Sequence, residues 1–418
     1  SMTNLTLTPK TLNGTVIVPP SKSMAHRAVI CASLAAGRST IKNIQLSDDI
    51  LATIEGMRSF GAVIFYENQT LTIDGISIGS AKESRTINCN ESGSTLRFLI
   101  PLATLFTGKT HFTGQGQLGK RPLEPFKELF ETHSLHFHQE SSETLQLTIK
   151  GNLTPGLYEM RGDISSQFIT GLLLTLPLLA GDSVLKITTH LESKGYIDLT
   201  LSVLQAFGIV IEQEDNGQEF RIKGHQSYTA RQYEIEGDYS QAAFWLSANA
   251  LGNALAVTGL NSSSLQGDLA IISILEALST GSAESERIID GAQVPDIIPV
   301  VALVAALSKG KTTIINLERL RIKESDRLAA TQKELAALGA NIEVIADSLL
   351  IEGVSKLTGG QLVWSHKDHR MAMMLAIAST VCKEPIHIKD ADCVKKSYPN
   401  FWETFQKLGG KIHEWNMG

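Results

Sequence analysis

One repeat constrains what this chain can fold into more than any other feature. Polar clusters opening nearly all-apolar stretches recur at Ser23, Ser94, Ser166, Ser240, Asp296 and Asp368, with steps of 71, 72, 74, 56 and 72 residues. The glycines closing those stretches, Gly37, Gly108, Gly181, Gly252 and Gly310, keep the same step, with one interval of 58. Glycine after an apolar run reads as a helix stop, because it takes the left-handed C-terminal position without strain. Each cluster therefore predicts a helix of about three turns, apolar on every side and so buried. A step shared by six units makes an internally repeated architecture the frame for the rest.

A second helix family interleaves with the first, at 51–75, 126–151, 199–224, 269–291, 328–353 and 401–415. LATIEGMRSFGAVIFYENQTLTIDG and LAATQKELAALGANIEVIADSLLIEG both read helix, turn, strand, turn, strand. Their helical parts place apolar residues at i, i+3, i+4 and i+7, whereas TLTIDG and SLLIEG alternate as strands do. The expectation is an α/β protein of two similar domains, each of three repeats, with amphipathic helices and strands enclosing the apolar helices. The best boundary lies near 231–237. An N-terminal strand at 5–18 precedes the first cluster, and periodicity leaves its partner open. Pro101 and Pro177 should kink or shift the second and third apolar helices. No GxGxxG follows a strand, which disfavours a dinucleotide-binding unit.

Composition removes several function classes. With 43% apolar and 19% charged residues the chain is ordinary for a globular protein. A net charge of −6 disfavours a general nucleic-acid-coating role, so basic residues that matter must cluster locally. Cys31, Cys89, Cys382 and Cys393 form no CxxC, which suggests neither a disulfide framework nor a zinc site. No apolar run is long enough to span a bilayer, so no membrane role and a cytoplasmic location are expected.

The clusters carry the chemistry. Helix N-termini offer unpaired N–H groups and a positive dipole end, a ready anion site. In PPSKSMAHR the two prolines bring the chain in extended, and Ser21 or Ser23 can cap a helix carrying Lys22 and Arg27. Ser23 and Arg27, four apart, share a face. The second opening offers Gly93, Ser94, Thr95 and Arg97; the third Asp163, Ser165, Ser166 and Gln167; the fourth residues 236–240. The fifth offers Asp296, which taken alone reads first as an acidic cap, and the sixth Asp368, His369 and Arg370. Other loops add Lys120 and Arg121; Ser193, Lys194 and Tyr196; residues 321–327, where Ser325 or Asp326 can cap; and Lys395 with Lys396. Arg97, Arg327 and Arg370 oppose the helix dipole at their positions. Such breaches of local preference are where function is expected. If the buried helices of one domain point the same way, their openings converge on one face.

PPSKSMAHR, SGSTLR, GKRP, DISSQF, SKGYID, EGDYSQAAF, RIKESDRL, DHRMAM and KKSYPNF together resemble the 5-enolpyruvylshikimate-3-phosphate synthase family, in its order and over essentially the whole chain. The resemblance implies two domains of three βαβαββ repeats around buried helices, the enolpyruvyl transferase or inverse α/β barrel fold. It implies domains at 21–236 and at 1–20 with 237–418, and an active site in the cleft between them. It also implies transfer of the enolpyruvyl group of phosphoenolpyruvate to the 5-hydroxyl of shikimate 3-phosphate, with release of phosphate. Neither metal nor organic cofactor is implied, and the expected partners are these two substrates, with the protein a monomer. Carried onto this sequence, Ser23, Arg27, Ser165, Ser166, Ser193, Tyr196 and Lys323 should hold shikimate 3-phosphate. Lys22, Gly93, Arg121, Arg327, Arg370 and Lys396 should hold phosphoenolpyruvate, with Gln167 and Lys22 touching both substrates. Asp296 should take the hydroxyl proton, Glu324 should protonate C3, and Lys22 should join the catalytic set. Glu91 and Arg319 stand where the family commonly has asparagine. Two rivals stand beside this reading: the sister enzyme acting on UDP-N-acetylglucosamine, and a non-catalytic binder of phosphorylated metabolites. The sister typically carries a reactive cysteine before its Arg-Pro pair, where this chain has residues 116–121 and none.

Overall fold

In the computed structural model, which describes residues 3–78 and 83–415, the chain forms two compact units. The first is Pro20–Glu236; the second joins Ser1–Pro19 to Gly237–Gly418. Each has its own hydrophobic core, one built from residues between Met24 and Ile235, the other from Leu5–Val16 side chains and residues between Tyr239 and Leu408.

Both predicted helix families form. The apolar family is α1 (Lys22–Leu34), α3 (Gly93–Ala103), α5 (Gln167–Thr175), α7 (Tyr239–Ala250), α9 (Ile298–Ala306) and α11 (His369–Ser379). The amphipathic family is α2 (Asp48–Ser59), α4 (Glu124–Thr132), α6 (Lys194–Ala206), α8 (Ile271–Ser279), α10 (Arg327–Ala337) and α12 (Phe401–Lys407). Every residue of α9 and α11 is buried, as a helix without a polar face must be. Side-chain caps start most apolar helices: Ser21 accepts from Met24 N–H, Ser92 from Thr95 N–H, and Asp368 from Arg370 N–H. Asp296 does not cap. It sits in a 3-10 turn, Pro295–Ile297, that leads into α9 and leaves its carboxylate free for other partners.

In the first unit each repeat closes a four-stranded sheet with one parallel and two antiparallel pairs. The second repeat runs Ser84–Asn88, α3, Lys109–Thr113, α4, His136–Gln139, Gln146–Lys150, and the third follows the same βαβαββ order from Leu157–Met160 to Glu219–Ile222. The first repeat borrows its opening strand from the far end of the unit, where Gln232–Glu234 pairs parallel with Arg38–Lys42. In the second unit, the last repeat borrows its closing strand from the N-terminus: Asn4–Thr8 lies between Ile386–Lys389 and Lys411–Trp415. The expected single strand at 5–18 is thus two. The second of them, Asn13–Ile17, pairs parallel with Ala254–Thr258 as the opening of the fourth repeat.

That fourth repeat is the short one its 56-residue step announced. It ends at α8, and the strand that follows, Glu286–Asp290, opens the fifth repeat by pairing parallel with Lys311–Ile315. A missing closing hairpin explains the short step of 56 residues. Pro101 lies within α3 and removes the donor that would have met the Arg97 carbonyl four residues back. Gly171 of α5 packs at that spot, where a Cβ would stand 2.5 Å from the Arg97 oxygen. Among the described residues no helix is long and apolar enough to cross a membrane.

Candidate active site

The helix openings of the first unit are wired together by buried side chains. Arg27, 3% exposed, donates from Nε to Thr200 Oγ1 of α6 at 2.7 Å and from Nη1 to the Ser23 carbonyl at 2.9 Å. Its guanidinium lies 5.0 Å from the Phe98 ring centroid and 5.9 Å from that of Tyr196. Burial pulls its pKa down to about 10, so Arg27 stays charged at neutral pH while these two hydrogen-bond partners are neutral oxygens. His26 beside it is held neutral, its pKa lowered to about 3 chiefly by burial. It bonds to Thr53 Oγ1, which reaches Thr95 Oγ1, each at 2.7 Å, so α2 bridges the openings of α1 and α3.

Gln167, the first residue of α5, joins the other two openings. Its Nε2 donates to Ser94 Oγ at 2.9 Å, and its Oε1 accepts from Arg97 Nη1 at 3.0 Å. Arg97 also donates to the Pro122 carbonyl, and its pKa falls to about 10 through burial and the nearby charge of Arg121. A Cβ at Gly93 would stand 2.5 Å from Arg121 Nη1, so glycine leaves that guanidinium room to lie against the helix start. Ser165 Oγ accepts from Gln167 N–H, while Ser166 is buried ahead of α5. Ser193 takes left-handed backbone, φ 52°, and its carbonyl accepts from Tyr196 N–H at the start of α6. Lys22 projects half-exposed and pairs with Asp49 Oδ2 at 3.4 Å.

The second unit gathers charges of both signs. Arg327, the first residue of α10 and 1% exposed, meets three carboxylates. It binds Asp368 through Nε at 2.9 Å and Nη2 at 3.2 Å, Glu324 at 2.7 Å, and Asp296 at 3.3 Å. A planar fork matches this bidentate geometry, which lysine could not reproduce. Lys396 reaches Glu324 Oε1 at 2.6 Å, His369 Nε2 lies 3.8 Å from the same oxygen, and Arg370 Nη2 is 3.7 Å from Asp296. Burial would raise the Asp296 pKa, but Arg370, Arg327, Lys323 and His369 overcome it and hold the group below its ordinary value. Glu324 behaves alike: burial raises it, yet hydrogen bonds with His369 and Lys396 and the charge of Arg327 leave it well below the usual range. Burial first, with Arg319 and Arg327, lowers Lys323 against the pull of Asp296. Glu324, Asp368 and His369 are close enough to share a cation, but both carboxylates already carry protein cations.

The residues assigned to the substrates divide between the two units. Lys22, Ser23, Arg27, Gly93, Arg121, Ser165, Ser166, Gln167, Ser193 and Tyr196 lie in the first unit; Asp296, Lys323, Glu324, Arg327, Arg370 and Lys396 lie in the second. Two partners escaped the sequence reading: Asp49 and Thr200 sit on amphipathic helices, where polar residues read as a solvated face. Asp268, in a QGD run that resembles the family but carries no assigned role, lies in a short turn before α8. The Asp268 pKa is pushed up to about 8 by burial and by Asp296, with Arg370 opposing.

Fold and clusters define an internally repeated α/β protein of two units, with cations gathered at its helix starts. The sequence profile described as EPSP synthase (3-phosphoshikimate 1-carboxyvinyltransferase) matches residues 7–405. A 3-phosphoshikimate 1-carboxyvinyltransferase of Clostridium botulinum is 55% identical over 427 residues, covering 98% of each chain. One of Clostridioides difficile is 53% identical over 438 residues, covering all of both. The solved EPSP synthase of Acinetobacter baumannii shares the fold at a TM-score of 0.86, with 23% identity over 99% of this chain and 100% of that one. The chain belongs to the EPSP synthase family.

Proposed function

We propose that this protein transfers the enolpyruvyl group of phosphoenolpyruvate to the 5-hydroxyl of shikimate 3-phosphate, releasing inorganic phosphate. Relatives of this identity and coverage bear the name of that activity. The observation that carries the chemistry is Arg327 flanked by Asp296 and Glu324, two carboxylates in reach of one buried cation. A non-catalytic binder of anions has no use for carboxylates facing its cations.

In this reading Asp296, held ionised, takes the 5-hydroxyl proton as that oxygen bonds to C2 of the enolpyruvyl group. Glu324 delivers a proton to C3, and the cations balance charge on the tetrahedral ketal phosphate. Collapse breaks the C2–O bond to phosphate, C3 returns its proton to Glu324, and the departing phosphate takes up the proton held by Asp296. Arg27, Ser23, Ser165, Ser166, Ser193, Tyr196, Gln167 and Lys323 serve shikimate 3-phosphate. Lys22, Gly93, Arg121, Arg327, Arg370 and Lys396 serve phosphoenolpyruvate. Arginine forks suit phosphate and carboxylate alike. The test is phosphate release with phosphoenolpyruvate and each acceptor in turn. Release only with UDP-N-acetylglucosamine, or with neither acceptor, would overturn the proposal.

A further inference from the structure

A short strap, residues 364–368, leads from the strand Leu362–Trp364 into α11 and ends at Asp368, the buried partner of Arg327. Two of its residues in succession, His366 and Lys367, have left-handed backbone with φ 56° although neither is glycine. Such conformations persist only where the surroundings over-determine them. Part of that determination is local. Ser365 Oγ donates to the Asp390 carbonyl at 2.7 Å, Lys367 N–H donates to Ser365 Oγ at 3.1 Å, and Asp368 N–H to the Ser365 carbonyl at 3.0 Å.

The rest comes from α10. Glu334, 4% exposed, accepts from Trp364 N–H at 3.1 Å through one oxygen and holds His366 Nε2 at 2.9 Å through the other. The His366 ring is in turn stacked on the Trp364 indole, centroids 4.2 Å apart. A neutral imidazole with its proton on Nε2 satisfies the second contact. Glu334 stands seven residues after Arg327, two turns along the same face of α10. One helix therefore grips the strap at both ends: Arg327 at Asp368, Glu334 at Trp364 and His366. A buried carboxylate is costly unless both oxygens are bonded, and here both are used on this one segment.

We propose that Glu334 is a positioning residue, which fixes the 364–368 strap and through it aims Asp368, His369 and Arg370 at Arg327, Glu324 and Asp296. Glu334 touches none of the groups assigned to substrate. The proposal rests on the functional reading above in one respect, that Arg370 serves phosphoenolpyruvate.

Glu334→Ala, Glu334→Gln and His366→Ala test it by two readouts on the full-length protein. Hydrogen exchange of the strap amides, Asp368 N–H above all, should quicken about tenfold or more in Glu334→Ala while α9 amides keep their protection. In steady-state kinetics the KM for phosphoenolpyruvate should rise about tenfold while that for shikimate 3-phosphate stays within about twofold. Glu334→Gln should stay near wild type in both, because its amide oxygen still accepts from Trp364 N–H and its NH2 can donate to a His366 ring protonated on Nδ1. Unchanged strap exchange in a folded Glu334→Ala, or equal rises in both KM values, overturns the proposal. If Glu334→Ala does not fold, His366→Ala decides by the same readouts, with effects in the same direction expected and unchanged exchange overturning it. Absent turnover in the wild type counts against the functional reading alone, because the exchange readout still decides the strap.

Discussion

Replacing Arg327 by methionine keeps bulk and removes the charge at the centre of the second unit's network. Asp368, 0% exposed, then loses its bidentate partner and keeps only Ser325 Oγ at 2.9 Å and Arg370 N–H at 2.9 Å. Asp296 and Glu324 lose less, since each is part-exposed and retains a cation in Arg370 or Lys396. The cost is therefore that of breaking one buried pair, about 3–5 kcal/mol. All four tryptophans, Trp245, Trp364, Trp402 and Trp415, lie in the second unit, so their fluorescence reports its unfolding and not that of the first. With a urea m-value of about 2–3 kcal/mol/M, the tryptophan midpoint should fall by about 1–2 M. Adding Asp368→Asn should then cost little more, or restore stability, because the stranded charge goes with it while asparagine still caps α11. A midpoint shift below about 0.3 M, or losses that simply add in the double variant, would refute the reasoning.

Other perturbations test other links. Asp268 has a folded pKa, about 8, above its unfolded value of 3.8, so the folded state holds a proton the unfolded chain releases and stability falls as pH rises between the two. Asp268→Asn should thus stabilise the second unit by about 1–2 kcal/mol at pH 7.5, after discounting for its partial exposure, and by nothing near pH 4; an equal effect at both would sink the idea. Gly171→Ala should push a methyl onto the Arg97 carbonyl and destabilise the first unit by about 1–3 kcal/mol. That loss should show in hydrogen exchange of α5 and leave the tryptophan transition unmoved, and an unmoved α5 would contradict it. Asp296→Asn should keep substrate binding but lower kcat by a factor of about 100 or more, and near-normal turnover would remove Asp296 from the base role. Phosphoenolpyruvate binding should take up a proton near neutral pH, measured by calorimetry in two buffers of different ionisation heat; zero uptake would take Glu324 out of the acid role.

Much of the fold was legible because its signals are local. Capping residues, closing glycines and the switch between helical and alternating periods lie within a few residues of the structure they specify. The borrowed strands were not legible. Nothing near Gln232 or Leu5 announces a partner some 190 or 380 residues away, since strand pairing is decided by which edge the compact unit leaves open. The 56-residue step showed that the fourth unit was short without saying which piece it lacked. At the site, residues that break a local rule, such as Arg327 and Arg370 at helix starts, stood out. Thr200 and Glu334 obey every local rule of an amphipathic helix, and only tertiary packing shows that they face inward.

The two clusters differ in how their cations are satisfied, and this bears on Glu324. In the first unit Arg27 and Arg97 lean on hydroxyl, amide and carbonyl oxygens, and Arg121 adds a like charge beside Arg97. An anion arriving there meets positive charge that the protein itself has not neutralised. In the second unit Arg327, Arg370 and Lys396 are already held by Glu324, Asp296 and Asp368. An anion arriving there competes with those carboxylates for the same cations. On the proposed reading, phosphoenolpyruvate draws Lys396 and Arg327 towards its own oxygens, and Glu324 keeps the His369 contact but loses the other two that depress its pKa, while the burial that raises it remains. A carboxylate in the empty protein thus becomes a proton carrier only when the substrate that needs the proton is bound. Lys323, which the same reading does not give to phosphoenolpyruvate, still favours ionised Asp296 through this exchange, so one binding event separates two neighbouring carboxyls into base and acid.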